Sequence, residues 1–149
     1  MNTLVFAVHY LSFAVAVGCL SVQVFFLRQS LHLGQIRVGL LARVDAVYGL
    51  AAVASLVTGL MRVFWYGKGV SYYSTHSVFW VKVGLFAVIG VLSIYPTVQL
   101  LKNRPLALRD WALNRPKIVG RVRRLVIFEL VLFVILPFAA ALLAHGPHF

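Results

Sequence analysis

The sequence predicts an all-α protein, a four-helix transmembrane bundle that forms a single domain over residues 1–149. Three observations predict this fold. Of the 149 residues, 62% are hydrophobic and 11% are charged, whereas a soluble domain has about 25% charged residues. Four apolar runs are each long enough to cross the hydrocarbon core as a helix. The connections between these runs are short, and two of them carry most of the basic residues.

The predicted spans cover residues 3–27, 44–61, 77–101 and 125–144. Basic residues delimit them: Arg28 follows the first run, Arg43 and Arg62 flank the second, Lys102 follows the third, and Arg124 precedes the fourth. Helices are predicted rather than open strands because lipid cannot satisfy the hydrogen bonds of exposed backbone.

The distribution of basic residues predicts the orientation. The first and third connections hold eleven Lys and Arg residues, the second holds two, and the tail after residue 144 holds none. By the positive-inside rule, the first and third connections face the cytoplasm. Both termini then lie on the outer, periplasmic side of a bacterial inner membrane. The second connection is crowded with aromatic residues, as an interfacial belt would be: Trp65, Tyr66, Tyr72, Tyr73 and Trp80.

The net charge of +11 excludes some partners and favours others. No aromatic-basic platform or nucleic-acid module is visible, so no nucleic acid is expected. The basic connections would instead meet anionic lipids of the inner leaflet. Residues 105–113 could form a short helix lying flat on that leaflet, or a solvated basic loop; the sequence leaves both open.

The single cysteine, Cys19, excludes an intrachain disulfide and a multi-cysteine metal site.

Ionisable side chains at membrane depth are costly, so each is a candidate functional residue. His9, Lys82 and Arg62 form an outer group near the periplasmic end. His9 shares a helical face with Ser12, Ala16 and Gln23, which predicts that it faces the bundle interior, where it could meet Lys82. The alternatives stay open: His9 as a metal ligand or as a hydrogen-bonded helix contact, Lys82 as a site residue or a snorkelling side chain, and Arg62 as a site residue or an interface anchor.

The inner group consists of Asp45 and Glu129, the two acids within the predicted spans. They would be either structural partners of nearby arginines or members of a proton relay. Asp45 aligns on its helix with a seam of mostly small residues that allows close helix approach: Tyr48, Gly49, Ala52, Ser55 and Gly59.

Several short segments resemble an uncharacterised bacterial family of predicted four-helix membrane proteins, over nearly the whole chain. They are Val8-His9-Tyr10-Leu11, Thr58-Gly59-Leu60-Met61-Arg62, Phe79-Trp80-Val81-Lys82 and Leu92-Ser93-Ile94-Tyr95-Pro96-Thr97. More distantly, the layout resembles HemJ-type protoporphyrinogen oxidases and CopD-like membrane proteins. The HemJ-type proteins are haem b-binding bundles with an early histidine and a Trp-x-Lys element, which His9 and Trp80-x-Lys82 match.

This distant resemblance implies a small haem-binding membrane protein with a redox role near the outer face. His9 would bind the iron, Lys82 and Arg62 would pair with the propionates, and the substrate would be a quinone or a porphyrin-like molecule. Two alternatives stay open: a non-enzymatic subunit or assembly factor of a larger membrane complex, and a proton- or ion-coupled carrier that uses Asp45 and Glu129 as a homo-oligomer.

Overall fold

The computed structural model describes residues 2–33, 35–65 and 77–144. These residues form five helices and confirm the all-α class: α1 (Asn2–Arg28), α2 (Val38–Phe64), α3 (Ser77–Lys102), α4 (Leu108–Asn114) and α5 (Pro116–Ala144). Four of the helices are long, and α4 is a single short element between α3 and α5.

Three helices of the described chain are long and apolar enough to cross a membrane: Thr3–Arg28, Val38–Phe64 and Phe79–Lys102. Large apolar side chains on them point away from the protein core, among them Leu4, Leu11, Leu50 and Val91, each at least two-thirds exposed. A continuous apolar exterior of this kind fits lipid as the surrounding solvent. The protein is therefore a membrane protein.

The helices extend beyond the predicted spans. The second helix begins at Val38 rather than at residue 44, and the last begins at Pro116 rather than at residue 125. Hydropathy detects the lipid-compatible part of a helix, whereas the helix itself continues into its polar flank. Pro116 also suits a first helical position because its fixed φ is helical and its missing N–H would have no partner there. The extent of each span within its helix stays a prediction.

The predicted aromatic belt falls only partly within the described chain. Trp65 and Trp80 are both more than half exposed. Tyr66, Tyr72 and Tyr73 lie outside the described residues.

The long helices pack so that each contacts two neighbours: α1 lies against α2 and α5, and α3 lies against α5 and, less extensively, α2. Phe133 of α5 is fully buried at the centre of this arrangement. Its ring lies 5.6 Å from that of Phe13, 5.9 Å from that of Tyr48 and 5.9 Å from that of Phe86, centroid to centroid. Side chains from all four long helices therefore meet in one aromatic core.

The first and third connections are joined by main-chain hydrogen bonds. Leu108 N donates to Ile36 O at 2.7 Å, Val38 N to Leu106 O at 3.0 Å, and Gly39 N to Arg104 O at 3.1 Å. These bonds satisfy amide groups at the starts of α2 and α4 that have no partner within their own helices. The two predicted cytoplasmic connections are thus a single folded layer across one end of the bundle.

The short helix α4 completes this layer, at residues 108–114 rather than 105–113. Leu108 and Trp111 are fully buried in the protein core, while Leu113 is 58% exposed. Of the two possibilities that the sequence leaves open, the segment forms the helix, but this helix turns its tryptophan into the protein and closes that end of the bundle.

Candidate functional site

His9 lies on α1 against the neighbouring helix α2. Its Nδ1 atom is 3.0 Å from the main-chain carbonyl oxygen of Ser55 and 3.0 Å from Oγ1 of Thr58. The ring is half-buried. Ser12, Ala16 and Gln23, which share the predicted face of His9, are all buried. This face of α1 therefore points into the bundle, as the sequence predicts.

The hydrogen bonds of His9 define its tautomer. A carbonyl oxygen can only accept, so the Nδ1 atom that bonds to Ser55 must carry the proton. Thr58 donates its own hydroxyl proton to the carbonyl of Ala54, at 2.7 Å, and so it also accepts from His9. A neutral imidazole protonated at Nδ1 keeps a free lone pair at Nε2, and this is the atom that can bind a metal.

Arg62 and Lys82 lie close enough to His9 to act on it electrostatically, and Arg62 acts likewise on Lys82. The Arg62 guanidinium also lies over the ring of Phe6, with 4.1 Å between Cζ and the ring centroid. Residues from α1, α2 and α3 therefore gather at this end of the bundle. The three outer candidates of the sequence lie at the same end of the bundle.

Gly59 allows the close approach of α1 and α2 at His9. A Cβ atom at Gly59 would lie 3.4 Å from Cε1 of the His9 ring, whereas a Cβ at Gly49 would meet no atom within 4 Å. The predicted small-residue seam of α2 therefore has two different neighbours. Ser55 and Gly59 pack against His9 of α1, whereas Tyr48, Gly49 and Ala52 line a groove.

That groove runs between α2 and α3 and has a volume of about 460 Å³. Its walls are apolar, with small residues on both sides: Gly49 and Ala52 from α2, and Ala87 and Gly90 from α3. Tyr48 and Phe86 also line it, whereas His9 does not. An apolar groove of this kind suits a membrane-dissolved molecule or an acyl chain rather than a polar metabolite.

Asp45 lies in a second polar cluster, toward the end of the bundle that α4 closes. Oδ1 of Asp45 accepts a hydrogen bond from Nε2 of Gln23 at 3.3 Å, and Oδ2 accepts one from Oγ1 of Thr97 at 2.6 Å. Asp45 is 6% exposed. Its observed partners are an amide and a hydroxyl from α1 and α3, rather than the arginines that the sequence suggests.

Glu129 of α5 joins the same cluster. It is 1% exposed, and it interacts with Tyr48 and, electrostatically, with Asp45. Its Oε1 atom and the Oε1 atom of Gln23 are buried without a hydrogen-bond partner in the described chain. We call the set of Gln23, Asp45, Tyr48, Thr97 and Glu129 the inner cluster.

Comparison with known proteins places the chain in a family. A family model described as "Predicted membrane protein (DUF2214)" matches residues 1–147. The chain belongs to this family. No curated protein and no solved structure matches it. The predicted membership of an uncharacterised membrane protein family is confirmed, and the more distant resemblance to HemJ-type and CopD-like proteins stays a prediction.

For this DUF2214 member, the described residues contain no group of three or more His, Cys, Asp and Glu side chains that could hold a metal ion. A metal bound entirely by protein ligands is therefore not supported in that part of the chain. A cofactor that carries most of its own metal ligands needs fewer ligands from the protein. A single histidine nitrogen is enough to bind the iron of a haem.

Sequence reasoning selected His9, Lys82, Arg62, Asp45 and Glu129 but not their hydrogen-bond partners. Thr58, which accepts from His9, and Thr97, which donates to Asp45, are ordinary polar residues on apolar helices. Their helical spacing could have indicated them, because Thr58 lies one turn from Ser55, and Thr97 shares a helical face with Lys82 and Ser93. Register alone does not say which neighbouring helix a face meets.

Proposed function

We propose that this protein binds haem b at the outer end of the bundle and takes part in redox chemistry within the membrane. The observation that carries the proposal is the hydrogen bond from Nδ1 of His9 to the Ser55 carbonyl. Histidines that bind metals almost always donate their other ring N–H to such an acceptor, which fixes the ring and its tautomer. His9 is therefore prepared to bind iron through Nε2.

The neighbouring charges fit the same cofactor. Haem carries two propionates, and a cation beside each would offset their charge in a low-dielectric setting. Arg62 and Lys82 are the two cations that act on His9. Alternatively, Lys82 would approach the iron, and Arg62 alone would pair with a propionate. The porphyrin supplies four of the iron ligands, which agrees with a site built around one histidine.

Bound haem would supply one-electron transfer. The residues of this chain would hold the haem and set its reduction potential. Ser55 and Thr58 orient the imidazole, and the stacking of Arg62 on Phe6 holds its guanidinium in place. The groove between α2 and α3 has apolar walls, which would suit a quinone or a porphyrin-like substrate dissolved in the bilayer.

The finer topology belongs to the same proposal. We infer that α5 is a fourth span and that both termini lie outside a bacterial inner membrane. Two arguments support this: α5 packs along α1 and α3 as a member of the bundle, and the basic residues concentrate in the first and third connections.

A visible absorption spectrum tests the haem proposal. Detergent-purified protein, supplied with haem and measured oxidised and reduced, should show a Soret band and reduced-state bands. The His9→Ala variant should lose them. The matched control is His32→Ala, because His32 is exposed in the first connection and should leave the spectrum unchanged. Wild-type protein without a Soret band after reconstitution, or equal haem content in His9→Ala, would contradict the proposal.

A further inference from the structure

The inner cluster collects side chains from all four long helices into one buried space. Gln23 is fully buried, Glu129 is 1% exposed, Tyr48 is 3% exposed and Asp45 is 6% exposed. Two carboxyl groups are thus held in the protein interior and act on one another electrostatically. Neither carboxyl group belongs to the proposed haem site.

The groups that face these carboxyls do not neutralise them. Cys19 and Gln23 approach from α1, Tyr48 from α2, Thr97 from α3, and each acid faces the other. Among the described residues, no lysine, arginine or histidine forms an ion pair or a hydrogen bond with Asp45 or Glu129. Two ionised carboxylates in such a place would each lose hydration and would repel one another, so they cannot both stay charged without a compensating positive charge.

The hydrogen bonds distinguish the two acids. Both oxygens of Asp45 accept, one from Gln23 and one from Thr97, and donors of this kind favour the ionised form of a carboxyl group. Glu129 has one such partner, Tyr48, and its buried oxygen Oε1 receives no hydrogen bond from a described group. A proton on the Glu129 carboxyl group would remove the uncompensated charge and would provide a donor within the cluster.

A second, independent observation also indicates a missing donor. The Oε1 atom of Gln23 is fully buried and has no hydrogen-bond partner in the described chain, although the Nε2 atom of the same amide is bonded to Asp45. Buried acceptors without a donor are uncommon in folded proteins. Two of them in one cluster, beside two acids, indicate that the cluster binds something that donates.

We propose that the inner cluster is a proton-binding site in which Glu129 holds an exchangeable proton at neutral pH beside an ionised Asp45. The ligand is a proton rather than a metal cation. The site gives the bundle a group that can take up or release one proton at the end opposite His9. This proposal does not depend on haem, since none of its residues is among those proposed to hold the haem.

Infrared spectroscopy can test whether Glu129 is protonated. The bands of different carboxyl groups will overlap little, because the chain has only three Asp and Glu side chains. The full-length protein in lipid nanodiscs should show, at neutral pH, the carbonyl stretch of a protonated carboxylic acid, and the band should shift when H₂O is replaced by D₂O. Glu129→Gln should lose the band completely. The control Asp110→Asn should keep it, because Asp110 is exposed on α4.

Each other outcome overturns the proposal. A wild-type spectrum without the band at neutral pH means that both acids are ionised. A band that survives in Glu129→Gln places the proton on another group. A band that disappears on addition of sodium or potassium chloride at constant pH identifies a cation site instead. The wild-type measurements with D₂O and with salt remain decisive even if a variant fails to fold.

Discussion

Nδ1 of His9 lies 3.0 Å from the main-chain carbonyl oxygen of Ser55, so an ionisable side chain of α1 is bound to the backbone of α2. Main-chain acceptors in a helix are normally used by its own amide groups, and here the carbonyl of Ser55 also accepts from His9 of the neighbouring helix. The hydrogen bonds of His9 therefore both join two helices and select the tautomer of the ring. The first two predictions concern this contact.

Replacing Thr58 by valine should weaken the α1–α2 contact without removing it. Valine keeps the shape but cannot accept from His9, while the Ser55 carbonyl remains available. Polar contacts between membrane helices contribute about 0.5–1 kcal/mol each, so a loss of that size is expected in the free energy of unfolding. Denaturation in mixed detergent micelles, followed by circular dichroism, would measure it.

Ser21→Ala is the matched control for Thr58→Val. Ser21 is exposed, and its hydroxyl donates within α1, to the carbonyl of Val17 at 2.8 Å. Its loss should change stability by less than about 0.5 kcal/mol. Equal stability of the Thr58→Val and Ser21→Ala variants would mean that the His9–Thr58 bond contributes nothing to the packing of α1 on α2.

Gly59→Leu should destabilise the bundle by about 1–3 kcal/mol, the usual cost of overpacking. A Cβ at Gly59 already reaches 3.4 Å from the His9 ring, so the further carbons of leucine must displace the ring or separate the helices. The same micelle denaturation would measure the change. Gly18→Leu is the control, because a Cβ at Gly18 meets nothing within 4 Å. If both variants lost the same stability, the cost would come from replacing glycine and not from the contact with His9.

Hydropathy and periodicity predicted the long helices and the interior face of α1 because both depend on local sequence. The position of His9 on a stripe with Ser12, Ala16 and Gln23 follows from a period of 3.6 residues, and all three companions are buried. The common end of the bundle at which His9, Arg62 and Lys82 lie also follows from local sequence, because each is placed by its position along its own helix.

The partners of Asp45 could not be predicted in the same way. Which residue faces an acid depends on how each helix is rotated about its axis, and the sequence does not state that rotation. The sequence offers nearby arginines as one set of partners for Asp45, whereas in the structure α1 and α3 present Gln23 and Thr97 to it. Likewise, the apolar pattern of α4 suited a leaflet surface, and its tertiary contacts bury Trp111 instead.

Trp111→Ala should be among the most destabilising single substitutions, at about 3–5 kcal/mol. The side chain is fully buried, and its loss would leave a large cavity at the end of the bundle that α4 closes. Trp111→Phe should cost much less, because it keeps an aromatic ring and removes an indole N–H for which the described chain offers no acceptor. Unfolding in mixed micelles would measure both variants.

Leu113→Ala tests the position of α4 from its other face. Leu113 is 58% exposed, so its truncation should change stability by less than about 0.5 kcal/mol. If the helix lay on the leaflet with Trp111 in lipid, truncating Trp111 and truncating Leu113 would have similarly small effects on unfolding. A large difference between the two variants is the expected result.

Cysteine labelling can decide whether α5 crosses the membrane. In a Cys19→Ser background, which removes the single native cysteine, one variant carries Asn114→Cys, just before α5, and another carries His148→Cys, beyond it. The positive-inside rule places Asn114 in the cytoplasm and His148 outside.

In intact cells with a permeabilised outer membrane, a maleimide that cannot cross the inner membrane should label the His148→Cys variant. The Asn114→Cys variant should be labelled only after the inner membrane is opened. If α5 does not cross, both cysteines lie on one side and label together, and an inverted bundle would exchange the two results.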